Sequence, residues 1–282
     1  MDKKSIIAKL NEAIEAEHGA IIQYLNHVFA IGEGDLACEI EAIAREEMRH
    51  LDWLAETVVA LGGEISPTRG KTVLTGKTPP VWMKNDVAAE EEAIAMYRRH
   101  IAAIDDPGIK RLLQRILSDE QSHHLDFLHF VDKVREQKLK DVRGARSDKM
   151  TQTLNWGIAH EYAVAVQYML QSYYTRNKEA KKQLEDQAVN EMQHMGWLAE
   201  KLIDAESSPV LEHQDLVAAG KATPLADMLK ADIKIEDYVA ARYEAAAKET
   251  KEPKVKRLLQ RLRDHERYHS QVFGEILKGE KG

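Results

Sequence analysis

At 282 residues, with 44% hydrophobic and 31% charged side chains, the chain can form one large globular domain or two of ordinary size. Its formal net charge of −7 offers no basic field for nucleic acid, and a single cysteine, Cys38, excludes an intrachain disulfide framework or a Cys-x-x-Cys metal knot. No stretch approaches about 18 uninterrupted apolar residues, so no membrane span is expected; a reducing, cytoplasmic setting follows, with Cys38 as a buried, inert thiol.

Ala, Glu, Lys, Leu and Arg dominate, and apolar residues recur at helical spacing through four long segments in the first half. The first runs from about Lys3 to Ala30 and ends near Gly32-Glu-Gly34. The second runs from Asp35, a plausible N-cap, to about Leu61, where Gly62-Gly63 stops it. A connection with Pro67, Gly70, Gly76 and Pro79-Pro80 follows. The third helix covers about Asn85 to Ile104. Asp106-Pro107 supplies an N-cap and a first-turn proline for the fourth, which reaches about Gln137. Residues 138–148, charged and holding Gly144, read as a linker. The second half repeats the series, with helices near 149–176, 179–205, 225–250 and 253–278 and with Pro209 and Pro224 in its long connection.

The repetition is direct. Gln23-Tyr24 returns as Gln167-Tyr168 and Trp53-Leu-Ala-Glu56 as Trp197-Leu-Ala-Glu200, both 144 positions on. Lys110-Arg-Leu-Leu-Gln-Arg115 returns as Lys256-Arg-Leu-Leu-Gln-Arg261, 146 positions on. A period of this length makes each copy a complete domain rather than a solenoid repeat. Short first and last connections flanking a long middle one predict two antiparallel helix pairs joined by a crossover, a single-crossover four-helix bundle. The expected architecture is all-α: two tandem bundles, residues 1–137 and 149–282, joined by the 138–148 linker.

The chemistry-bearing residues repeat in the same register. Glu-x-x-His sets a carboxylate and an imidazole on one helical face, a spacing that can ligate one metal or bridge two. Roughly one match is expected by chance in a chain of this size, and Glu15/His18, which has no counterpart in the second copy, is read as that match. Glu47/His50 and Glu120/His123 do have counterparts, Glu191/His194 and Glu266/His269. Helices one and three each add a lone acid: Glu17, seven residues before Tyr24, matched by Glu161 before Tyr168; and Glu90, matched by Glu236. One Glu from each of two helices and Glu-x-x-His from each of the other two is the ligand set of carboxylate-bound dimetal bundles. Four inward carboxylates would repel one another and resist desolvation; two divalent cations cancel their charge. Oxygen and imidazole donors without thiolate suit iron, manganese or zinc. Surface charges and core histidines on ordinary helices are the plain alternative for one motif, but not for six positions duplicated in register.

These residues resemble bacterioferritin and the wider ferritin-like superfamily, once per half: Glu17-x6-Tyr24, Glu47-Met-Arg-His50, Glu90 and Asp119-Glu120-Gln-Ser-His123, then Glu161, Glu191-Met-Gln-His194, Glu236 and Asp264-His-Glu266-Arg-Tyr-His269. His265 interrupts the Asp-Glu adjacency of the second copy. The resemblance implies two irons per bundle. Glu17 and His50 would hold one, Glu90 and His123 the other, with Glu47 and Glu120 bridging. In the second half Glu161 and His194, Glu236 and His269, and bridging Glu191 and Glu266 take those roles. Asp86, Asp119, Asp232 and Asp264 would accept from imidazole nitrogens and fix their tautomers. Tyr24 and Tyr168 either hydrogen-bond a ligand carboxylate or pack as core tyrosines. Met48 and Met192 stand where the family places haem-axial methionines; packing at a helix interface is their plainer role. The implied activity is ferroxidase, Fe(II) oxidised by O2 or H2O2 for storage or detoxification. The alternatives are a dimetal oxidase or oxygenase acting on an organic substrate and a non-catalytic iron store. Family members carry one bundle per chain, so this chain is expected to form a homo-oligomer or a pseudo-dimer of its own halves. Ala93 and Val239, where rubrerythrins carry a further Glu, and the single cysteine separate it from those peroxidases.

Overall fold

The structure, a computed structural model, describes residues 1–32, 34–76, 78–136 and 148–279. Among these residues there are eight helices and no strand: α1 (Lys3–Ile31), α2 (Asp35–Ala60), α3 (Pro79–Ala103), α4 (Pro107–Glu136), α5 (Lys149–Tyr174), α6 (Lys178–Asp204), α7 (Leu225–Glu249) and α8 (Pro253–Gly279). The chain divides into two compact units, Met1–Arg143 and Gly144–Gly282. Of the expected linker, residues 138–147 lie outside the described residues, as does Gln137; Asp148 is instead the N-cap of α5, accepting from the Met150 and Thr151 amides. No described helix is long and apolar enough to cross a membrane.

Local chemistry sets the helix ends. The Asp2 carboxylate accepts the Ser5 amide at 2.8 Å, and Asp106 accepts from Gly108 and Ile109, satisfying first-turn amides that no helical carbonyl can reach. Gly62, at φ 74°, takes the left-handed turn that ends α2. Three expectations change. The α3 helix starts at Pro79, six residues before the expected Asn85, because prolines at the first helical positions lack only N–H groups that need no partner there. Gly34, not Asp35, is the residue flanking α2, at φ 135°, an angle open to glycine, and Asp35 is already helical. Cys38 is exposed rather than buried: Leu36, Ala37 and Ile40 occupy the inward stripe of α2, and position 38 falls on the opposite side.

Within each unit the helices pack as antiparallel pairs, α1 with α2 and α3 with α4, then α5 with α6 and α7 with α8; α1 also meets α3 and α2 meets α4. The crossover fixes how the pairs meet. Along the first unit it advances beside α1 in the same direction: the Glu64 carbonyl takes Asn11, the Ser66 hydroxyl donates to Glu15, the Gly70 amide donates to the Glu15 carbonyl at 2.7 Å, and the Val73 amide donates to Gln23. The chain thus returns along the length of α1 before α3 begins, and α3 runs antiparallel to α1. The second crossover repeats the path, through Val210 to Asn155, Gln214 to the Ala159 carbonyl and Val217 to Gln167. One end of each bundle interior is apolar: Ile40, Met83, Phe127 and Val134 around Tyr24, and Leu184, Leu229 and Phe273 around Tyr168. Beyond this layer in each bundle lie buried acids, followed by further buried apolar residues, Leu10, Leu54 and Leu113 in the first unit and Leu154, Leu198 and Leu259 in the second.

Candidate metal centres

Antiparallel packing brings Glu-x6-Tyr of α1 against Glu-x6-Tyr of α3. The Tyr24 hydroxyl donates to Glu90 Oε1 at 2.5 Å, and reciprocally Tyr97 donates to Glu17 Oε1. Tyr168 and Tyr243 donate in the same way to Glu236 and Glu161. For Tyr24 and Tyr168 the open choice is resolved in favour of the carboxylate contact. Tyr97 and Tyr243 were not singled out from the sequence, although Glu90 and Tyr97 share the seven-residue spacing of Glu17 and Tyr24; the pairing is visible only once α1 and α3 are known to be antiparallel.

The twelve Glu and His positions fall into four groups, each with ligand atoms within 4.8 Å of one another: Glu17, Glu47, His50 and Glu120; Glu47, Glu90, Glu120 and His123; Glu161, Glu191, His194 and Glu266; and Glu191, Glu236, Glu266 and His269. Two acids are common to both groups in each bundle, Glu47 and Glu120 in the first, Glu191 and Glu266 in the second. No member of the twelve is more than 3% exposed. Glu15 and His18 lie outside these groups.

The internal contacts have the character of donors converging on a shared point. His123 Nδ1 lies 2.9 Å from Glu47 Oε1, and His269 Nδ1 lies 2.8 Å from Glu191 Oε1, yet none of these four atoms makes a hydrogen bond. Glu17 Oε2, Glu90 Oε2, Glu120 Oε1, Glu161 Oε2 and Glu266 Oε1 are likewise buried without a partner. Such atoms are rare in folded proteins, since each costs about 1–3 kcal/mol when desolvated and unpaired. Each tyrosine occupies one oxygen of Glu17, Glu90, Glu161 or Glu236, and on Glu17, Glu90 and Glu161 the second oxygen is left bare. Oxygen and imidazole donors, bare and clustered around four carboxylates per bundle, fit a pair of divalent cations.

Protons and neighbouring charges set the electrostatics of these clusters. Burial, then the Glu120 carboxylate, raises Glu17; burial with Glu120 and Glu47 raises Glu90 strongly; burial and Glu47 raise Glu120. Burial opposes charge on the imidazoles, but Glu120, Glu17 and Glu47 hold His50 well above the ordinary histidine range, and Glu47 holds His123 at about 9. In the second unit burial and neighbouring acids raise Glu161 and Glu236, while His269 is held at about 9. Glu191 and Glu266 shift the other way. Despite burial they are held below the usual carboxylate range, Glu191 by His269 and His194, and Glu266 by the same two rings against the repulsion of Glu191.

Of the four aspartates, Asp119 faces a clustered imidazole as expected, and the other three do not. Asp86 meets His27 Nδ1 at 2.8 Å and accepts from Gln23 at 2.8 Å, so the imidazole it orients is not one of the clustered four. Its counterpart Asp232 accepts from Gln167 and Gln171, because Gln171 stands where the first unit has His27. Gln23 and Gln167 tie these aspartates to the crossover amides of Val73 and Val217. Asp119 Oδ2 faces His50 Nε2 at 3.5 Å and pairs with Arg115 at 3.0 Å. Asp264 is largely exposed and pairs with its neighbour Arg263; the residue in the position of Asp119 is His265, whose Nδ1 lies 2.9 Å from His194 Nε2. One residue along a helix is a 100° rotation, so the carboxylate of Asp264 points away. Met48 and Met192 are partly buried, each one residue past a shared acid.

Comparison with known proteins bears on the same segments. A family model described as the ferritin-like domain matches residues 7–136 and again residues 151–281. The bacterioferritin of Desulfovibrio desulfuricans is 34% identical over 127 residues, 43% of this chain and 71% of that protein. That of Rhodobacter capsulatus is 28% identical over 130 residues, covering 44% and 80%. An X-ray structure of the Desulfovibrio desulfuricans bacterioferritin, concerned with its diiron site in different catalytic states, aligns at 32% identity and a TM-score of 0.45, covering 47% of this chain and 81% of that one.

Proposed function

We propose that this chain, which belongs to the ferritin-like family on its twofold match, is a bacterioferritin-type ferroxidase carrying a dimetal centre in each half. The observation that supports this reading is the convergence, in both bundles, of four buried carboxylates and two imidazoles with bare donor atoms. Glu17, Glu90, Glu161 and Glu236 would be terminal ligands, Glu47, Glu120, Glu191 and Glu266 would bridge, and His50, His123, His194 and His269 would complete the sets. A bound iron pair supplies the one-electron steps by which O2 or H2O2 is reduced.

The protein's own share is charge, geometry and exclusion of water. Its four carboxylates per centre balance two divalent cations, and the buried tyrosine hydroxyls hold the terminal carboxylates by one oxygen each. Rings such as Phe127, 4.8 Å from Tyr24, and Phe273, 5.2 Å from Tyr168, keep one side of each centre apolar. Iron is also the substrate on this reading, oxidised at the centre and passed on to storage or retained. Met48 and Met192 offer thioether sulfurs for a haem; a bis-methionine Soret band in protein expressed with haem supply tests that part alone.

Aerobic addition of Fe(II) to the metal-free chain tests the main reading. Prompt O2 uptake without an organic substrate is expected. Binding without oxidation would leave an iron store, and O2 uptake only when an organic substrate is added would point to a dimetal oxygenase.

A further inference from the structure

The two centres share their inner residues but not what stands behind them. In all four imidazoles Nδ1 faces the clustered carboxylates. With Nδ1 given to a cation, Nε2 carries the hydrogen, and the acceptor of that hydrogen tunes the ring: a carboxylate strengthens it as a donor and fixes its orientation, whereas a neutral acceptor does so less. In the first unit both acceptors are acidic. His123 Nε2 meets Glu46 Oε2 at 2.8 Å, and His50 Nε2 faces Asp119 Oδ2 at 3.5 Å.

In the second unit both acids are gone. The position of Glu46, 144 residues on, is Asn190, whose amide donates to Gln187 at 3.1 Å. The position of Asp119, 146 residues on, is His265, against His194 Nε2 at 2.9 Å. The surrounding cations follow suit. Arg115 pairs with Asp119 in the first unit, while its counterpart Arg261, without that carboxylate, lies over the Trp197 ring at 3.8 Å. Two carboxylates are therefore absent from behind the imidazoles of the second centre, Asp264 being turned away, and the arginine remains.

We propose that duplication has made the centres unequal: Glu46 and Asp119 make the first the tighter divalent-cation site, and Asn190 and His265 make the second the weaker, more readily exchanging one. This rests on the dimetal reading above. A single chain then carries a centre that keeps its metal and a centre that turns it over. Glu46, Asp119, Asn190 and His265 are positioning residues, acting through the imidazoles.

The test is calorimetric titration of the metal-free full-length chain with Mn(II), with Glu191→Ala used to isolate the first centre and Glu47→Ala to isolate the second. The first centre is expected to bind at least about tenfold more tightly, the scale on which outer-partner changes act on metal sites. Asn190→Glu with His265→Asp should tighten the second centre by a similar factor, and Glu46→Asn with Asp119→His should weaken the first. A gain of affinity cannot arise from misfolding, so the first pair keeps the test sound even if the second pair folds poorly. With Co(II) as probe, the visible bands of the exchanged second centre should move towards those of the first, and a chelator should strip the parent's second centre first. Equal affinities that the exchanges leave unmoved would overturn this inference while leaving the dimetal reading standing. No paired binding in either half would overturn both.

Discussion

Replacing Asp232 by Asn isolates the energetic effect of exchanging His27 for Gln171. Asp232 is fully buried, accepts from Gln167 at 2.8 Å and Gln171 at 3.0 Å through Oδ1, and has no partner at Oδ2. Burial lifts its carboxyl from the usual 3.8 to about 7, the two amides offsetting only part of that rise. The folded state therefore binds this proton more tightly than the unfolded chain, by about 4 kcal/mol at 1.36 kcal/mol per pH unit. The sign follows: the associated stability is fully present below pH 4 and is lost as pH rises through about 7. About 3 kcal/mol of the loss falls between pH 5 and pH 8. Asp232→Asn removes the titrating group and keeps an acceptor for the glutamines. The variant should gain on the parent as pH rises, by up to about 3 kcal/mol at pH 8 relative to pH 5. Hydrogen exchange of α5 and α7 peptides in the metal-free full-length chain reads this locally, avoiding averaging over two units. If the stability difference between parent and variant were constant to within about 1 kcal/mol over that range, the buried, weakly compensated carboxyl inferred here would be wrong.

Other expectations follow from the same contacts. Asp86→Asn should behave oppositely, destabilising the first unit by about 3 kcal/mol because buried His27 loses its carboxylate; peptide-level exchange of α1 and α3 would show it. Glu47→Ala combined with Glu191→Ala should abolish paired-metal binding while leaving the circular dichroism helical. Retention of about four metals per chain by elemental analysis would refute the ligand assignment. Tyr97→Phe with Tyr243→Phe removes the donors to Glu17 and Glu161, at about 1.5–3 kcal/mol each in the metal-free protein, measurable by urea denaturation. Gly70→Ala should cost about 1–3 kcal/mol in the same measurement, since its Cβ would stand 2.3 Å from the Glu15 carbonyl oxygen that Gly70 already hydrogen-bonds.

The sequence alone determined the eight helices, the tandem duplication and the twelve Glu and His positions. The reason is physical: i, i+3 spacing on a helix fixes which side chains share a face, and recurrence at 144 and 146 residues separates a used spacing from an accidental one. Glu15/His18, lacking a counterpart, was set aside on that ground, and it lies outside the clusters. Pairings between helices were not legible, because they depend on relative direction and rotation that no single-helix period encodes. Tyr97 could be joined to Glu17 only when the crossover had set α3 antiparallel to α1. The role of His265 was hidden by Asp264, one residue and 100° away, and the outward turn of Cys38 depended on which stripe of α2 the bundle buried. The tertiary structure likewise decided what lies behind each imidazole, a carboxylate or a neutral group. Hydrogen-bond partners more than seventy residues apart are chosen by packing, and packing made alike two inner sets whose outer partners differ.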